Sequence, residues 1–173
     1  MKILPHLAAV ITVVTFALPV QAHVTLTQTE AHVGGPYRAA LRVAHGCEGS
    51  PTVKLRVRIP EGFIGVKPQA KAGWQIDIVK GDYEKAYRIH GAEVTSGVTE
   101  LSWTGRLPDG YFDEFVFTGT LSDALQGGQL LAFPVVQECE QGVARWIDAP
   151  SADHHDHGHS DMPAPAVKLL PPR

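Results

Sequence analysis

Nine histidines are spread unevenly along the 173 residues, and two of their placements carry chemistry. His23 follows Val20-Gln21-Ala22, a small-residue pattern of the kind at which leader sequences are cut. A cut after Ala22 makes His23 the first residue, with an α-amine and an imidazole side by side. A terminal amine has a pKa of about 7.7–8.0 in model compounds, so it yields its proton to a metal far more easily than lysine does. Nitrogen donors of this kind favour Cu(II) among the divalent first-row metals. The second placement is His154-His155-Asp156-His157-Gly158-His159. Short His-rich tracts bind Cu(II), Zn or Ni without a folded cage, so His154, His155, His157 and His159 form a secondary candidate set. His45 stands two residues before Cys47 and reads as a hydrogen-bonded structural histidine in a strand-end turn. His32 and His90 lack clustered partners and read as solvated or structural.

Residues 1–22 have the layout of a secretory signal peptide. Lys2 supplies a thin positive region, Leu7–Leu18 is an apolar run, and Pro19 breaks it. The run falls short of the roughly 20 residues that span a bilayer, so no membrane anchor is expected after cleavage and the product is periplasmic or secreted. Export leaves two options for Cys47 and Cys139: one disulfide, which an oxidising compartment favours, or two free thiols. The formal charge of −3, from 15 basic and 18 acidic residues, lacks the basic surplus of a nucleic-acid binder. With 44% hydrophobic and 19% charged residues, the composition is that of a globular domain and not of a disordered chain.

Positioning falls to β-strands. Thr52–Pro60 alternates cleanly, with Val53, Leu55, Val57 and Ile59 on one side and Lys54, Arg56 and Arg58 on the other. Tyr37, Ala39, Leu41 and Val43 repeat the pattern, as do Trp74, Ile76 and Ile78. Further strands are expected at Val24–Thr29, Tyr83–His90, Thr99–Thr104, Glu114–Thr118, Gln129–Val136 and Val143–Ile147. Turn signals separate them, among them Gly34-Gly35-Pro36, Pro60-Glu61-Gly62 and Pro108-Asp109-Gly110. Ser122–Leu125 reads as one short turn capped by Ser122. Short strands at this spacing predict an all-β antiparallel sandwich or barrel over residues 23–150. Residues 151–173, rich in Pro and His and without a period, read as a flexible tail.

Several phrases are specific: HVTL at 23–26, AHGCEGSPTVKLRVRIPEGF at 44–63, VKPQAKAGW at 66–74, LPDGYFDEFVF at 107–117 and PVVQECEQGVARWIDAP at 134–150. In this order they resemble the YcnI-like copper-binding domain of exported bacterial proteins. The resemblance implies an immunoglobulin-like β-sandwich that binds Cu(II) through a single-histidine brace. It implies His23 as the terminal ligand, Glu114 as the carboxylate and Trp146 beside the metal. On position alone Glu114 is an exposed residue flanking a turn, and Trp146 is core. Alternation sends Asp113 and Glu114 to opposite faces. The implied function is a non-enzymatic one, buffering copper or passing it to other periplasmic copper-handling proteins. The alternative is a copper-dependent oxidase or polysaccharide-cleaving enzyme, whose chemistry normally adds a second histidine to the brace. No Ser–His–Asp set, catalytic carboxylate pair or phosphate loop is visible.

Overall fold

A computed structural model describes residues 23–89, 91–150 and 162–173. The leader, His90 and the histidines at 154, 155, 157 and 159 lie outside the described residues. The chain forms β1 (Thr25–Leu26), β2 (Glu30–His32), β3 (Pro36–Val43), β4 (Thr52–Arg58), β5 (Phe63–Pro68) and β6 (Gln75–Ile89). These are followed by β7 (Ala92–Leu107), β8 (Asp113–Leu121), β9 (Leu130–Ala132), β10 (Val135–Cys139), β11 (Val143–Trp146) and β12 (Ala166–Leu170). One sheet runs β1-β3-β8-β5 and a second runs β11-β10-β4-β7-β6, with every pairing antiparallel. Their inward faces enclose one core, in which Tyr37, Leu41, Leu55, Phe63, Leu101, Trp103, Phe115, Phe117 and Phe133 are fully buried. Of the all-β sandwich or barrel that the alternation allows, the sandwich is the fold observed, as the resemblance implied.

The alternation in β3 holds at every expected position, with Tyr37, Ala39, Leu41 and Val43 all buried. In β4 it holds for Leu55 and Val57 and fails at the start. There Val53 is only half-buried and Thr52 is fully buried. A register shift between Thr52 and Lys54 against β7 is the cause, since one irregular residue turns its neighbours to the other face. Trp74 and Ile76 pack on the core, whereas Ile78 is exposed. The Ser122 turn forms as expected, its hydroxyl accepting the Ala124 N–H at 3.1 Å.

Residues 162–173 are not a tail. Val167 and Leu169 are buried in β12, which pairs in parallel with β2 and antiparallel with β9 in a third, three-stranded sheet. Ala166-Val167-Lys168-Leu169-Leu170 has the period of two that the prolines on either side obscure. Each inward side chain gains about 1.5–3 kcal/mol from burial, and pairing with β2 and β9 adds its hydrogen bonds against the cost of ordering the strand. The segment is anchored a second time where Asp148 bridges to Pro163. The Asp148 N–H donates to the Met162 carbonyl at 3.2 Å, and the Ala164 N–H donates to the Asp148 carbonyl at 2.9 Å.

Cys47 and Cys139 form a disulfide with a Cα–Cα distance of 6.0 Å. Cys47 opens a tight turn closed by paired hydrogen bonds with Ser50, each 2.9 Å. Glu48 (φ 50°) and Gly49 (φ 87°) are both left-handed within it. The turn also needs Gly46, because a Cβ there would overlap the Ser50 carbonyl oxygen. No helix among the described residues is long and apolar enough to cross a membrane.

Candidate metal centre at the sandwich edge

His23 lies just before β1, the edge strand of the first sheet, and Trp146 ends β11, the edge strand of the second. The two rings meet with centroids 5.2 Å apart and planes tilted by 54°. Trp146 faces inward because it pairs with Val135, whose side chain is in the core, and it is only 5% exposed. The structure therefore brings together two of the three residues named for the brace.

The third stands differently. Glu114 pairs with Arg42, and Arg42 pairs with Thr25. Cross-strand partners share a face of a sheet. Arg42 and Thr25 are exposed, and their neighbours Leu41, Val43, Val24 and Leu26 are buried, so the Glu114 row is the outward one. The same row carries a cation: the Arg42 guanidinium lies 5.0 Å over the Phe112 ring. Asp113 pairs with Val43 on the opposite face, as alternation requires. It forms a 2.7 Å ion pair with Lys71, and its Oδ1 accepts the Glu114 N–H at 2.8 Å.

A different acid is tied to the edge. The Trp146 Nε1–H donates to Gln137 Oε1 at 3.3 Å, and Gln137 Nε2 donates to the His45 carbonyl at 2.8 Å. The next residue, Gly46, donates its N–H to Asp109 Oδ1 at 3.1 Å. Asp109 is half-buried in the β7–β8 loop, beside the exposed Tyr111 and Phe112. The sequence treated Asp109 only as part of a Pro-Asp-Gly turn. Nothing further in the sequence singled it out, because its contact with Gly46 joins segments 63 residues apart. His45 behaves as a strand-end structural histidine. Its Nδ1 lies 2.6 Å from the Gly46 carbonyl. Because a carbonyl only accepts, Nδ1 carries the proton there. His32 Nδ1 similarly meets the Pro171 carbonyl at 2.6 Å.

Among the described residues no three or more His, Cys, Asp or Glu side chains form a ready-made cluster. A terminal amine, the donor that cleavage before His23 would add, is not one of these side chains. An open groove of about 620 Å³ lies elsewhere, along β2 and β12, with Glu30, His32, Pro36 and Leu170 in its walls. It shares no residue with the His23 edge.

Comparison with known proteins gives three findings. The family model described as "Domain of unknown function (DUF1775)" matches residues 23–169. No curated protein matches. A crystal structure of an uncharacterized protein from Nocardia farcinica, described as revealing an immunoglobulin-like fold, aligns with a TM-score of 0.64 at 22% identity, covering 86% of this chain and 98% of that one. The sandwich is thus immunoglobulin-like.

Proposed function

The chain belongs to this family over residues 23–169, and from that premise we propose that it is an exported copper-binding protein that buffers Cu(II) or hands it on. One observation carries the proposal: His23, the residue that cleavage would free, rests against Trp146, which the resemblance to YcnI-like domains names independently. The disulfide is compatible with the oxidising compartment that export implies.

The donors fit the cargo. An amine and an imidazole on one residue supply two nitrogens, and a carboxylate supplies an oxygen, a tetragonal set suited to Cu(II) with room for water. Two acids compete for the third place. Glu114 is the one the resemblance names, and Asp109 is the one the hydrogen-bond chain ties to the edge. The His154–His159 tract, which starts a few residues beyond Trp146, adds a weaker capture element in this proposal.

Cu(II) titration of the chain beginning at His23, followed by spin resonance, tests the proposal. One glycine placed before His23 should abolish the tight site, and binding that survives the extension overturns it. Asp109→Asn and Glu114→Gln then decide the carboxylate. Deleting residues 151–161 should lower the copper stoichiometry and leave the tight site intact. Peroxide formation by the reduced, copper-loaded chain in oxygen would favour the oxidase reading instead.

A further inference from the structure

Gln137 occupies a core position in β10, between the inward-facing Val135 and Cys139, and is 2% exposed. A glutamine there is out of keeping with its neighbours, and its amide is fully engaged. Oε1 accepts the Trp146 Nε1–H, and Nε2 donates to both the His45 carbonyl and Thr52 Oγ1, each at 2.8 Å. The orientation of the amide follows from these partners. Turned over, it would set two donors against each other at the indole and an acceptor against the His45 carbonyl. Thr52 is inside the core because of the register shift at the start of β4, and its hydroxyl lies 3.9 Å from Cys139 Sγ.

We propose that Gln137 is the positioning residue of the His23–Trp146 edge, holding the indole at the rotation that meets His23. The proposal deepens the copper reading and rests on it for its metal-dependent half. A glutamine amide is planar. Once its two N–H groups are fixed by the His45 carbonyl and by Thr52, the direction of Oε1 is fixed as well. The indole has two side-chain torsions, and apolar packing accepts more than one combination of them, but only one aims Nε1–H at that oxygen. Burial alone does not demand this bond. Trp103 is fully buried in the same core, and its Nε1 has no hydrogen-bond partner among the described residues. Trp146 is held in orientation where Trp103 is merely packed. The chain of contacts also refers the indole to the disulfide-braced end of the sandwich, since Cys139 lies two residues beyond Gln137 and Cys47 two beyond His45.

The test uses the chain beginning at His23 with Gln137→Met, Gln137→Glu, Trp146→Phe and the Gln137→Met/Trp146→Phe double variant. Without metal, the three indole N–H resonances are observed and Trp146 is assigned from Trp146→Phe. Gln137→Met should move the Trp146 resonance and speed its hydrogen exchange at least tenfold, while Trp74 and Trp103 stay in place and report an intact fold. Gln137→Glu keeps an acceptor and loses both N–H donors that aim it, so the Trp146 resonance should move and exchange faster there too. It also decides the matter if Gln137→Met fails to fold. With Cu(II) alone, Gln137→Met should alter the hyperfine splitting and weaken binding about tenfold, and should do nothing further in the Trp146→Phe background. An unchanged Trp146 resonance in folded Gln137→Met, an unchanged, slowly exchanging Trp146 resonance in Gln137→Glu, or full additivity in the double variant each overturns the proposal. If the unmutated chain binds no Cu(II) near His23, the copper reading fails, and the metal-free arm still judges Gln137.

Discussion

Replacing both Cys47 and Cys139 by alanine removes the one covalent tie between the phrase carrying His45 and the strand carrying Gln137. The two cysteines are 92 residues apart in sequence. In the chain-entropy model a closed loop of that size disfavours the unfolded state by about 4–5 kcal/mol. Domains of this kind are stable by about 5–15 kcal/mol in total, so the loss is about a quarter or more of what holds the fold. Urea unfolding of the chain beginning at His23, with and without the bridge, measures it. The midpoint should fall sharply, and the dependence on urea should steepen, because an uncrosslinked unfolded chain exposes more surface. The folded double variant should also show faster exchange at the Trp146 indole, whose partner Gln137 is anchored on the same end of β10. A loss below about 1 kcal/mol with an unchanged urea dependence would refute the reasoning. It would mean that the unbridged chain stays constrained by other means.

Three further outcomes are expected. Leu169→Ala should cost about 2–5 kcal/mol in urea unfolding, as for a buried leucine, whereas a leucine in a flexible tail would cost nothing. Glu48→Asn should raise stability by about 0.5–1 kcal/mol, because asparagine tolerates the left-handed conformation that Glu48 adopts at φ 50°. The third concerns alkaline pH. Burial pushes the Tyr37 hydroxyl well above its usual value of 10.0, and that hydroxyl donates to the Gln28 carbonyl at 2.6 Å. Above pH 10 the unfolded chain gives up this proton while the folded chain keeps it, so stability falls as pH rises, by up to about 1.4 kcal/mol per pH unit. Urea midpoints at pH 9, 10 and 11 should therefore decline less steeply in Tyr37→Phe than in the unmutated chain.

What the sequence could reveal divides along the line between periodicity and pairing. Alternation in Tyr37–Val43 and Thr52–Pro60 announced two central strands, and the turn signals between short strands announced a sandwich or barrel. Both patterns are local, so they survive without knowledge of neighbours. The register shift at Thr52 is a property of two strands together and could not be seen in one. Strand β12 was hidden for a compositional reason. Prolines on either side made a five-residue alternating segment look like linker, although Val167 and Leu169 are two apart and both apolar. Tyr83–His90 and Trp74–Ile78 were read as separate strands, yet β6 runs unbroken from Gln75 to Ile89. Polar residues facing solvent on an edge strand mimic a loop.

The site shows the same division more sharply. His23 and Trp146 were named from opposite ends of the domain, and only the closing of the two sheets puts them edge to edge. Parity correctly separated Asp113 from Glu114. Carried one step further, it leaves the choice of carboxylate open. Glu114 shares its face with Arg42 and Thr25, and His23, two residues before Thr25, has the same parity, so the strand pattern does not set Glu114 apart from His23. Asp109 reaches Gly46 from a loop, which parity does not govern, so the two carboxylates are separated by substitution and not by strand pattern. Gln137 was legible by the same rule: in Val135-Val136-Gln137-Glu138-Cys139 it shares parity with two apolar residues, which turns it inward. A polar side chain on the apolar phase of a strand is a sign that something inside must be held, and here its acceptor is spent on the indole that faces His23.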